Sequence, residues 1–194
     1  MRDAPVSPDR VMPFALASLL VGVALTLAVL LGARALGRPL APRALPFVLL
    51  TAVFVAMTQY PFPLPGSLEC PVGPSAEPNL RPFVWLNTIG ALIEQEVPVW
   101  RWPLNRHIAA TALNFLVCAA IGAALAPLTR SLAVAAGFGL GLTLTVELTQ
   151  LTAFWGLYPC PWRQFNVDDL IMNATGVLAG FALARRLLRR WDGA

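Results

Sequence analysis

Five long apolar runs, at 11–32, 44–60, 108–128, 132 to about 153 and 169 to about 188, alternate with polar or proline-rich stretches. About 20 apolar residues cross a bilayer as a helix. The pattern therefore predicts an all-α, polytopic integral membrane bundle of about five transmembrane helices. Pro46 sits where a helix tolerates proline, in the first turn of the second run. The fifth run opens with acids and closes with arginines, which complements the helix dipole at both ends. Residues 1–10 are polar and include Asp3 and Asp9, unlike the basic start of a signal peptide. The first run is long enough to span and is read as a retained helix.

Arginine placement predicts orientation. Arg34, Arg38 and Arg43 follow the first run, Arg130 the third, and Arg185, Arg186, Arg189 and Arg190 close the fifth. Five spans put all of them on one face, the cytoplasmic one, with the N-terminus outside and the C-terminus cytoplasmic. The alternative is four spans with the first helix poorly inserted. On five spans, the segment 61–106 and the loop 154–167 face outward. Nine prolines in the former (Pro61, Pro63, Pro65, Pro71, Pro74, Pro78, Pro82, Pro98 and Pro103) predict extended or turned chain. Between Pro82 and Pro98, Trp85, Ile89, Leu92 and Ile93 recur at helical spacing opposite Glu94. They fit either a short interfacial helix, with Trp85, Trp100 and Trp102 as belt residues, or a plain loop cover. Residues 1–74 read as a two-helix region with the start of this outer loop, and 75–188 as the rest of a single membrane domain. Cys70 and Cys160 both fall outside and are expected to form a disulfide, whereas Cys118 lies within the third run as a packing residue.

Composition agrees with the pattern. The chain is 57% hydrophobic and 12% charged, against about 25% charged for a soluble domain. Its net charge of +4 is spread between apolar runs, with no aromatic-interleaved basic surface for nucleic acid. The exceptions to apolarity are more telling. Asn114, Glu147, Gln150, Asp169 and Asn173 lie inside predicted spans, and an ionised group at a span's centre costs roughly 2.5 to 3.5 kcal/mol. At about 1.5 Å per residue, Asn114, Glu147 and Asn173 sit roughly 6 to 9 Å below the outer surface. Glu147 and Gln150 share a face, as do Asp169, Asn173, Gly176 and Gly180. Gly176 and Gly180 form a small-xxx-small seam for close helix packing. Arg163 is the natural cation for Glu147 or Asp169. Asp168 or Asp169 is also expected to cap the fifth helix, with Asp169 turned toward the cluster. The plain alternative to a binding site is interhelical glue, in which each hydrogen bond contributes about 1 kcal/mol or less.

These residues resemble the VanZ-like family of bacterial membrane proteins. The resemblance runs over about 75–185, through Asn79-Leu-Arg-Pro-Phe83, Asn114 with Gly122, Glu147 with Gln150, and Arg163, Asp168, Asp169, Asn173 and Gly176. Two positions depart from the pattern: Asn166 stands where the family commonly has Asp, and Ala120 where it often has Pro. The resemblance implies a bacterial plasma-membrane protein associated with resistance to teicoplanin-type lipoglycopeptides. The expected activity is binding of an anionic outer-leaflet lipid or lipid-linked cell-wall intermediate by the polar cluster, with no cofactor and no metal. Two other readings stay open. Glu147, Asp168 and Asp169 could offer a divalent ion oxygen ligands in a lipid-phosphate hydrolase or transferase, although His107 is the sole histidine and no nucleophile arrangement is evident. Glu147 could instead couple protons in a transporter, although no internal repeat supports alternating access.

Overall fold

A computed structural model describes residues 8–59, 70, 77–161 and 163–192, and among these it is helical, with no strand. Tyr60 and prolines 61, 63, 65, 71 and 74 of the proline-rich segment lie outside the described residues, as does Glu69. The helices are α1 (Pro8–Ala35), α2 (Leu45–Gln59), α3 (Val84–Glu94), α4 (Arg106–Leu125), α5 (Leu132–Leu151) and α6 (Val167–Asp192). Helices α1, α4, α5 and α6, and α2 together with the 3-10 turn Pro42–Ala44 that leads into it, are long and apolar enough to cross a membrane. The chain is thus a multi-pass membrane protein, as its apolar runs predict.

Caps set the helix limits. Asn105 accepts from the His107 and Ile108 amides, so α4 starts at Arg106, two residues before the apolar run. Ser131 accepts from the Val134 amide at the start of α5. That helix ends at Leu151, where the chain enters a left-handed turn: Ala153, Phe154, Trp155 and Gly156 all have positive φ. Each non-glycine residue in that region costs roughly 1 to 2 kcal/mol. The Thr152 hydroxyl opposes this cost by accepting from the Trp155 amide at 3.0 Å while donating to the Leu148 carbonyl at 2.7 Å.

Helices α4 and α6 form the centre of the bundle. Gly122 of α4 lies against the Val177 carbonyl of α6, while Gly176 and Gly180 of α6 lie against the Phe115 and Ala119 carbonyls of α4. A Cβ at any of these three positions would collide with main chain, so only glycine permits the approach. Phe54, Cys118, Ile121, Val146 and Val177 fill the core between α2, α4, α5 and α6. A second cluster of Leu125, Ala126, Ala135 and Phe181 continues it toward the arginine-bearing end. Helix α1 packs on α2, with Gly22 against Val53, and its leucines face outward as a lipid-exposed helix requires. Helix α3 rests on the start of α4 with Trp85, Ile89 and Leu92 half-buried. Ile93, expected on that face, is 60% exposed beside Glu94, because it lies one position past the stripe.

A disulfide joins Cys70 to Cys160, 90 residues apart, and Cys118 is a buried free thiol. The bond ties the segment between α2 and α3 to the loop between α5 and α6.

Candidate functional site

The polar residues of α4, α5 and α6 meet at the end of the bundle that carries the disulfide. Asn114 of α4 donates to Asp169 Oδ1 of α6 at 2.9 Å. Asn173, one turn deeper, donates to Thr143 Oγ1 of α5 at 3.1 Å. Glu147 is 2% exposed, and its Oε2 accepts from the Asn166 amide at 2.9 Å. Gln150 Nε2 donates to the Thr58 carbonyl of α2 at 2.8 Å. Arg163 Nη1 reaches the same carbonyl at 2.7 Å, and that of Met57 at 3.3 Å. So Arg163, expected to pair with a carboxylate, holds the open carbonyls at the end of α2 while Glu147 and Asp169 act on it through the field. Arg163 is exposed by its surface area, yet desolvation by the protein around its guanidinium lowers its pKa from the ordinary value, and the Asp169 and Glu147 carboxylates oppose that shift.

Asp168 and Asp169 diverge, as successive helical positions must. Asp169 faces Asn114. Asp168 is 4% exposed and is not a cap of its own helix: its carboxylate accepts the amides of Phe83, in close contact, and Val84, at 2.9 Å. These are the orphan donors at the start of α3, where a negative charge is favoured. The cap of α6 is Asn166, whose Oδ1 accepts the Asp168 amide at 3.1 Å. Asn166 Oδ1 also accepts from Asn79 Nδ2 at 3.1 Å, and an isolated parallel bridge pairs the two residues. An aspartate at 166 could accept the same two bonds, so asparagine keeps the structural role without the charge.

Of the expected cluster, Asn114 is bonded to Asp169 and Asn173 to Thr143, Gln150 and Arg163 share the end of α2, and Glu147 is bonded to the Asn166 amide at the start of α6. Asp168 stands apart, pinning α3. Both of its carboxylate oxygens are taken by amides, which suits it poorly as a metal ligand. Among the described residues, no three His, Cys, Asp or Glu side chains converge to hold a metal ion.

Sequence reasoning missed Gln59. It is 4% exposed, its Nε2 donates weakly to the Val146 carbonyl at 3.4 Å, and its Oε1 has no partner among the described residues. It lines a largely apolar groove of about 320 Å³ between α2 and α5, walled by Val55, Leu142, Val146 and the turn residues Phe154 and Trp155. Asn173 Oδ1 is likewise buried without a partner among the described residues.

The order of these features along the chain is that of a known family: a model described as VanZ/LLP1 matches residues 42–189. The chain belongs to the VanZ/LLP1 family. The match takes in α2 as well as the motif-bearing helices, so the VanZ/LLP1 region includes Gln59, Thr58 and both walls of the groove. No curated protein and no solved structure matches the chain.

Proposed function

We propose that this VanZ/LLP1 member binds an anionic lipid or lipid-linked cell-wall intermediate in the outer leaflet of the bacterial plasma membrane. One observation carries the reading. Gln59, whose Oε1 is buried with no partner among the described residues, lines an apolar groove, and Arg163 is bound to the carbonyl of the adjacent residue, Thr58. A hydrocarbon chain suits the groove, an N–H or O–H donor near its polar end suits Gln59 Oε1, and an anionic head group suits Arg163. Gln150 shares the Thr58 carbonyl with Arg163 at this rim, and the bonds of Asn114, Glu147, Asp169 and Asn173 fasten α4, α5 and α6 to one another. A buried acceptor left without a donor costs about 1 to 3 kcal/mol, which a ligand supplying one would recover.

On this reading, expression protects a cell against teicoplanin-type lipoglycopeptides by changing what the outer leaflet presents. The test compares wild type, Arg163→Ala and Gln59→Leu at matched membrane levels, reading co-purified lipid by mass spectrometry and susceptibility to teicoplanin and vancomycin. Both substitutions are expected to deplete the same lipid and to lower teicoplanin protection. An unchanged lipid profile in both variants would reject the binding role. Lipid depletion with no teicoplanin effect in any strain would reject the resistance role alone.

A further inference from the structure

The opposite end of the bundle carries a second cavity, of about 400 Å³. Three separate segments bring an arginine to it: Arg43 from the turn before α2, Arg130 from the α4–α5 connection, and Arg185 from α6. A run of neighbouring arginines in the sequence would be an ordinary topological signal. Convergence from three segments on one cavity is a different observation. Arg185 is half-buried, and its Nε is buried with no hydrogen-bond partner among the described residues.

The charge balance is one-sided. Glu77, Glu94 and Glu96 precede α4, Glu147 lies in the far half of α5, and Asp168 and Asp169 open α6, all at the disulfide end. Asp9 is in the first turn of α1, at the opposite end of that helix from Arg34. Asp192 is the one described acid near the arginines, seven residues past Arg185 and so about 10 Å further along the helix. The end of α4 also lines the cavity, and its partial negative charge of about 0.5 opposes an anion. Three guanidinium charges outweigh it. Arginine presents a planar fork of donors that matches phosphate oxygens, and basic pockets between membrane helices hold anionic head groups.

We propose that Arg43, Arg130 and Arg185 form a phosphate-binding site at the end of the bundle opposite the disulfide. The site is independent of the groove beside Gln59, and its chemistry is that of a phosphate ester: a phospholipid head group of the adjacent leaflet or a soluble phosphate.

Thermal stabilisation of the full chain in neutral detergent reads both sources, with phosphatidylglycerol as one titrant, inorganic phosphate as another and phosphatidylcholine as the uncharged control. Saturable stabilisation is expected, with half-saturation moved by at least about tenfold in R43Q, R130Q and R185Q, since each removes a charge-assisted bond. R190Q changes an exposed arginine at the same end, outside the cavity, and is expected to leave half-saturation unchanged. A response to phosphatidylglycerol alone assigns the site to a lipid head group, and one to inorganic phosphate alone assigns it to a soluble ligand. Absence of saturable binding overturns the proposal, and so does an R190Q loss equal to that of the cavity variants. Should R185Q fail to fold, R43Q and R130Q, whose side chains are exposed, carry the same comparison.

Discussion

Two hydrogen-bonded acids, adjacent in sequence, have different energetic roles here. Asp169 meets a neutral carboxamide across a helix interface, and such bonds within membranes average about 0.6 kcal/mol. Asp168 meets two main-chain amides at the start of a helix that has no other side-chain cap, so its loss leaves two donors unpaired where loss of the Asn114–Asp169 bond breaks one. The larger loss is therefore expected at Asp168. Asp168→Ala should lower the thermal midpoint in detergent clearly more than Asn114→Ala, and should raise hydrogen exchange over 83–88 in particular. Equal exchange in the two variants would show that α3 does not depend on this carboxylate. Part of the cluster was open to reading from spacing alone. Glu147 and Gln150, three residues apart, share one face of α5, whereas Thr143, the partner of Asn173, was not singled out. The bonds of Asp168 and Asn166 were not, because their partners Phe83, Val84 and Asn79 lie more than 80 residues away.

Among the elements, the five spans are plain in the sequence because a bilayer demands a length and an apolarity that little else in a chain produces. Their mutual facing is less plain, since lipid is as apolar as a leucine side chain and no contrast between apolar and polar faces marks the packed side. Glycines carry that information, but only some of them. Gly122, Gly176 and Gly180 touch main chain of the partner helix, while Gly137 and Gly141 of α5 have open space around them. Gly122→Leu or Gly180→Leu must push α4 and α6 apart, and overpacking of this kind costs roughly 1 to 3 kcal/mol or more. Both should reduce the yield of monodisperse protein. Gly141→Ala should be neutral or stabilising by up to about 1 kcal/mol, because alanine favours the helix and meets nothing. A destabilised Gly141→Ala alongside a tolerated Gly180→Leu would place the close helix contact elsewhere. The left-handed turn after α5 had no such marker: nothing in Ala153-Phe154-Trp155 announces three positive φ values, which are imposed by the Thr152 bonds and the return of the chain toward Cys160.

At the scale of the whole molecule, the proposed direction of insertion rests on two independent features that point the same way. Arg34, Arg38, Arg43, Arg130 and the four arginines of the last helix gather at one end, which the positive-inside bias assigns to the cytoplasm. The Cys70–Cys160 bond lies at the other end, and disulfides persist where the surroundings are oxidising. With five candidate spans, that direction would put the two chain ends on opposite sides and open the groove beside Gln59 in the outer half of the membrane. A reporter active only outside the cytoplasm should be silent when fused after Ala194 and active when inserted between Glu94 and Pro98. A membrane-impermeant thiol reagent should label Cys70 and Cys160 in intact cells only after reduction, and should leave the buried Cys118 unlabelled. The inverted reporter pattern would put the arginines outside and the disulfide in a reducing compartment. That outcome would remove the outer-leaflet lipid from consideration while leaving the groove itself intact, because the groove's chemistry comes from α2 and α5 rather than from the direction in which they cross.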